Sequence, residues 1–247
     1  MLDRCMSLDN KLNIIDIGNI SYEEAWRKQR EFLDKRIQNS IPDTLLLVEH
    51  PPTITFGSGS DEWNKLKVDR EELTKYGIDF YGRTDRGGGA AFLGPGQIVG
   101  YTIMQWPDLQ VFSFMRRLED VMIRTAMNFG IEVSRVDAMN PTTDKPYRAT
   151  WFKQNGSYKV LCTKGIGTTR SGTFMYTHHG FALHVNNAHN IPYTKLINPC
   201  GFPEDETGPI SMQTILGKEV DMQDVKKVLA KKFAEVFDKK EVNYNGL

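Results

Sequence analysis

Thr44-Leu45-Leu46-Leu47-Val48-Glu49-His50-Pro51-Pro52-Thr53-Ile54-Thr55-Phe56 reads as strand, break and strand. An unbroken apolar run of this length, closed by polar residues, is the pattern of a strand buried on both faces. Pro51-Pro52 ends it, because proline lacks the donor a ladder needs. Thr53 to Phe56 then alternates and is expected to be its partner strand. Working outward, Ile14 to Ile20 opens with a short apolar stretch. Ser21 stands three residues before Glu24, a capping box. Tyr22, Ala25, Trp26, Gln29, Phe32, Leu33 and Ile37 follow at helical spacing, so one helix face is buried. Downstream, 69–76 is a short helix and 78–81 and 97–104 are strands. Phe112, Met115, Leu118, Val121, Met122 and Ala126 mark a second long helix. Strands at 149–152 and 158–163 flank Asn155-Gly156, a hairpin signal. A strand at 181–185 and a helix at 221–237 complete the chain. Helices alternating with short strands, without a repeat or linker, predict one mixed α/β domain over residues 1–247.

The composition is that of an ordinary globular protein, with 40% hydrophobic and 25% charged residues in 247. Thirty-one basic and 31 acidic residues balance. Bulk nucleic-acid binding, which needs a basic excess or stripe, is not expected. Cys5, Cys162 and Cys200 are odd in number and scattered, which predicts free thiols in a reducing compartment, hence the cytoplasm. No Cys/His spacing suggests a metal. No signal segment is visible at 1–7, and the apolar runs are too short to span a bilayer. No organic cofactor is implied.

Two segments carry candidate chemistry. Cys200 lies between Pro199 and Gly201, residues that favour a tight turn projecting its side chain outward. The alternative is a small core-filling thiol. Arg86-Gly87-Gly88-Gly89 and Gly94-Pro95-Gly96-Gln97 form a glycine-rich stretch suited to close approach of backbone to a ligand, or to a plain loop. It is neither a dinucleotide fingerprint nor a P-loop.

Taken in order, the segment 45–52, Asp85-Arg86-Gly87-Gly88, the segment 94–101, His179-Gly180-Phe181-Ala182-Leu183 and Asn198-Pro199-Cys200-Gly201 resemble the octanoyltransferases (LipB type) of the biotin/lipoate protein ligase superfamily. The resemblance runs from about Tyr22 to Gly217. It implies a single α/β domain with a larger mixed β-sheet, a smaller sheet and flanking helices. It also implies transfer of an octanoyl or lipoyl group from acyl carrier protein to a lysine of a lipoyl domain. That domain would belong to a 2-oxoacid dehydrogenase or the glycine cleavage H protein. The route would be a cysteine thioester formed by a Cys-Lys pair, without nucleic acid or membrane.

By that resemblance Cys200 is the nucleophile. A thiolate exchanges thioesters at little cost, and a neighbouring ammonium lowers its pKa. Counting back from His179 places Lys164 at the family lysine. Counting through Gly165 places Val160 there, flanked by Lys159, with Lys164 four residues on and so expected on the same face. Lys164 is the expected partner and Lys159 the alternative. Gly165, His179 and Gly180 are expected on one wall of the acyl site and Arg86, Gly87 and Gly88 on the other. The sequence departs from the family at Leu93, where a histidine is usual, at Gly89, Ala90 and Ala91, and at Ser58. These changes make the site more apolar. An ATP-dependent lipoate or biotin protein ligase, or a weakly catalytic paralogue that binds acyl carriers or lipoyl domains, are the competing readings. A basic rim of Arg148, Lys153 and Lys159 would suit acidic partners.

Overall fold

A computed structural model describes residues 8, 10–59, 66–106, 111–135, 149–198 and 207–247. Strands β1 (Lys11–Asn19) and β2 (Asp43–Glu49) flank helix α1 (Tyr22–Ile37), and β3 (Thr53–Phe56) precedes α2 (Arg70–Lys75). Then come β4 (Asp79–Arg83), β5 (Ala90–Leu93), β6 (Gln97–Trp106), α3 (Val111–Asn128) and β7 (Val133–Ser134). They are followed by β8 (Ala149–Gln154), β9 (Ser157–Ser171), β10 (Phe174–His184) and a 3₁₀ segment, Ala188–Leu196. Helices α4 (Met212–Leu216) and α5 (Met222–Val236) and strand β11 (Glu241–Asn245) close the chain.

The strands form an eight-stranded mixed sheet, β11-β1-β2-β6-β10-β9-β8-β7, and a three-stranded sheet, β4-β3-β5. The expected fold class is therefore observed. The run at 44–48 is buried because both faces of β2 are covered. Leu45 and Leu47 join the core under α3 and α5, while Leu46 and Val48 join the core under α1. The capping box forms as read: Ser21 Oγ accepts from Glu24 N–H at 3.2 Å. Asn155 and Gly156 both take positive φ, 49° and 85°, as the two-residue β8–β9 hairpin requires.

Four expectations need correction. β3 does not pair with β2; Pro51-Pro52 redirects the chain, and β3 becomes the centre of the small sheet between β4 and β5. The segment after the three glycines is strand β5, with Ala90 to Leu93 pairing Phe56 to Thr53. β9 and β10 run far past the expected ends, pairing continuously from Cys162–Leu183 to Ser171–Phe174. The last helix does not end the chain, because β11 returns to pair in parallel with β1. Cys5, Arg148, Cys200 and the polar loop at 139–145 lie outside the described residues. Among the described residues no helix is long and apolar enough to cross a membrane.

Candidate active site

Between the small sheet and the α1-side face of β6, β9 and β10 lies a cavity of about 440 Å³. Its walls are mainly apolar, with Phe92, Leu93, Val99, Ala182, Ile191 and Ile197 among them. Leu93, at the position of the usual histidine, is buried on β5 and belongs to the α1-side core as well as the cavity wall. Ile98, next to Val99 on β6, packs in the core on the opposite face.

The glycine-rich loop lies directly on β9. Gly87 N–H donates to Ile166 O at 2.9 Å, and a Cβ on Gly165 would stand 2.8 Å from Gly87 O. Backbone contact this close needs glycine on both sides. Arg86 lines the cavity and is tied to β3, donating to Thr55 O at 2.8 Å and Thr55 Oγ1 at 2.9 Å. Gly88, Gly165, His179 and Gly180 border the cavity too. Gly87 holds the loop against β9 from behind. The structure therefore brings Arg86, Gly88, Gly165, His179 and Gly180 around one space.

The lysines are placed differently. β8 and β9 slip register between Thr150/Cys162 and Trp151/Val160, so Leu161 is an extra residue. The extra residue reverses the parity assumed for Val160 and Lys164. Val160 packs with Ala149 and Trp151, whereas Lys164 sits opposite Phe181, whose ring belongs to the core under α3 and α5. Lys164 borders the cavity, but its side chain has no exposed area and its Nζ lies 3.2 Å from Glu119 Oε1 on α3, off line for a hydrogen bond. Burial pushes the Lys164 pKa down and the Glu119 carboxylate opposes it. Glu119 also pairs with Arg116 at 2.9 Å and Arg135 at 3.2 Å. Lys159 lines the cavity beside Thr207, Gly208 and Pro209. Lys195, on the 3₁₀ segment, is an exposed lining residue that the sequence reading passed over.

Burial shifts the histidines around the cavity toward their neutral forms. His50 accepts from Tyr101 OH at 2.7 Å through Nε2 and donates to Ile20 O at 2.9 Å through Nδ1; burial lowers its pKa to about 4. His184 takes bonds from Asn187 at 2.7 Å and Gln97 at 3.2 Å and is likewise lowered to about 4. His179 Nε2 lies 2.7 Å from Asp85 Oδ1 and His178 Nδ1 lies 3.8 Å from Asp85 Oδ2. The His179 bond is the largest influence holding the Asp85 carboxyl far below its ordinary range, against the opposing effect of burial. These three residues have ligand atoms within 4.8 Å of one another. The Asp85 carboxylate is already engaged by the Arg30 guanidinium as well as His179, so the arrangement suits hydrogen-bonded imidazoles better than a cation.

Residues 21–234 match the family described as lipoyl protein ligase A/B catalytic domain. The chain belongs to that family. It is 35% identical over 235 residues to an octanoyltransferase of Rubrobacter xylanophilus, covering 94% of this chain and 97% of that one. It is 36% identical over 230 residues to an octanoyltransferase of Alkaliphilus metalliredigens, covering 92% and 95%. Among solved structures, a bi-partite lipoate protein ligase from Thermoplasma acidophilum superposes with a TM-score of 0.65 at 13% identity, over 95% of this chain and 85% of that one. A lipoate-protein ligase A bound with ATP gives 0.64 at 15% identity, over 95% and 88%. At such identity the structural likeness speaks for the fold.

Proposed function

We propose that this member of the lipoyl protein ligase A/B family is an acyltransferase of lipoate biosynthesis, acting as one catalytic domain. It moves an octanoyl group from acyl carrier protein to a lysine of a lipoyl domain, in a 2-oxoacid dehydrogenase or a glycine cleavage H protein. The observation that carries this is the match to octanoyltransferases over nearly the whole of both chains. An apolar cavity walled by the glycine-rich loop suits a short acyl chain.

Cys200 is the proposed nucleophile. The segment that carries it joins Ile197 to Thr207, and both of these line the cavity. A thioester on Cys200 keeps the acyl group activated until an amine arrives. Lys164 and Lys159 are the candidate ammonium partners. The enclosure of Lys164 against Glu119 favours Lys159. Arg86, Gly87 and Gly88 shape one wall; Gly165, His179 and Gly180 shape the other and offer backbone amides to the acyl carbonyl. Lys159 and Lys195 place positive charge on the cavity lining, which suits acidic carriers.

Incubation with octanoyl-loaded acyl carrier protein, read by intact mass, tests the route. The expected result is one octanoyl adduct on wild type, none on Cys200→Ala, and no dependence on ATP. ATP-dependent turnover would establish a ligase instead, and binding without an adduct would establish a non-catalytic binder. Lys159→Ala is expected to slow adduct formation more than Lys164→Ala; the reverse order would return the partner role to Lys164.

A further inference from the structure

We infer that His184 is a hydrogen-bond donor built into the cavity wall, whose Nε2–H receives a carbonyl oxygen of the acyl donor. The inference rests on the acyl-transfer reading and adds a side-chain contact that the reading does not assign. An acyl group on a carrier protein brings carbonyl oxygens of two kinds, its own thioester carbonyl and the amides of the pantetheine arm. Apolar walls hold a chain without fixing where along them a carbonyl stops; a few placed polar groups do that.

His184 faces this space. Successive strand residues point to opposite faces, so His184 shares a face of β10 with Ala182. Ala182 packs in the α1-side core and lines the cavity, whereas Leu183 and Val185 pack in the core on the other face. His184 lines the cavity too, with 4% of its surface exposed. Both of its hydrogen bonds end on Nδ1. Nε2 bonds to no group among the described residues, yet it is not sealed from open space. Its open side is the cavity.

The surroundings fix which nitrogen carries the proton. Gly94 N–H can only donate, and it meets Gln97 Oε1 at 3.0 Å. The Gln97 amide is thereby turned so that Nε2, a donor, stands 3.2 Å from His184 Nδ1. Asn187 Nδ2 stands 2.7 Å from the same atom. A ring nitrogen that faces donors must accept, so Nδ1 is bare. The ring is neutral at pH 7, because burial lowers its pKa to about 4, and its one proton sits on Nε2. Buried donors are nearly always satisfied, so one held in place and open to a cavity calls for an acceptor on the ligand.

The stretch Gly94-Pro95-Gly96-Gln97 builds this mount. Gly96 has φ +80°, and a Cβ there would lie 2.6 Å from Asn186 O. Gly96 O accepts from Val185 N–H at 3.1 Å and from Asn186 N–H at 2.9 Å. Asn190 Nδ2 donates to Pro95 O at 2.8 Å. The turn is thus locked to the chain just after His184, and Gln97 lies directly opposite His184 in the β6–β10 pair. Lys195, from the 3₁₀ segment that follows, lines the same cavity, so an oxygen acceptor is favoured there over a cation. The role is to stop a carbonyl at one place along the cavity; no proton or covalent bond is exchanged at His184.

Nitrogen-15 NMR of the imidazoles in the wild-type chain tests this with two probes. Octanamide carries the chain and an acyl carbonyl without the arm. S-octyl-pantetheine, a thioether, carries the chain and the arm amides without an acyl carbonyl. Before ligand is added, His184 is expected to show a bare Nδ1 and a protonated Nε2. A downfield move of the Nε2–H signal with octanamide assigns the acyl carbonyl as its partner; a move with S-octyl-pantetheine alone assigns an arm amide. No move with either probe, or a protonated Nδ1 with bare Nε2, would overturn the inference. His184→Leu is expected to weaken binding of the probe that moves the signal by about 3–10-fold, the net worth of one neutral hydrogen bond, and His184→Gln, which restores a donor, to recover part of the loss. Equal affinity in wild type and His184→Leu would also overturn it. A wild type that binds a probe at His184 but takes no octanoyl group from carrier protein would overturn the acyl-transfer reading and leave this site standing.

Discussion

A Cβ on Gly180 would run into the carbonyl oxygen of Gly100 on the neighbouring strand, and backbone cannot move aside as a flexible side chain can. Gly180→Ala is therefore expected to destabilise the fold by roughly 1–3 kcal/mol, the usual range for overpacking. Chemical denaturation would show this as a lower midpoint with unchanged slope. The glycine in His179-Gly180 is thus explained by sheet packing, whereas the histidine before it carries the polar contact with Asp85. The sequence shows both residues. It does not show that His178 and His179 share a side, because that depends on one positive φ fixed by Gln29 and Thr102 from distant elements.

Helix α1 is the element most fully legible in sequence. Its cap, its acidic first turn and its buried stripe are local properties, and Ser21 Oγ makes the expected bond. Ser21→Ala is expected to cost about 1 kcal/mol, read as a drop in thermal midpoint. The buried stripe of α3 is equally legible, apart from Phe112, which is 42% exposed beneath the Arg116 guanidinium instead of buried with the stripe. β9 is the least legible. Its length depends on pairing with β10, and its parity depends on a single bulge at Leu161. That one residue turns Lys164 toward Glu119 and leaves Val160 on the other face. Period-two reasoning breaks where the ladder gains a residue.

For the whole molecule, His50, His178 and His184 share an acid liability. Burial lowers each from 6.5 to about 4. The folded state therefore binds fewer protons than the unfolded state between these values, so the stability contribution present above pH 6.5 is lost as pH falls toward about 4. Thermal midpoints measured across pH 4–8 should fall most steeply in that window; a flat profile would show that the rings are not held neutral. The sequence by itself determined the α/β class, the capped helix α1, the central strand at 44–49 and the ordered segments of the family, because these follow from local periodicity, capping and residue type. Only the tertiary structure decided that β3 belongs to a second sheet, that the glycine-rich loop lies on β9, and which way Lys164, His178 and His179 point. Those outcomes rest on long-range register and on which faces are covered, and no window of sequence contains both partners of such a contact.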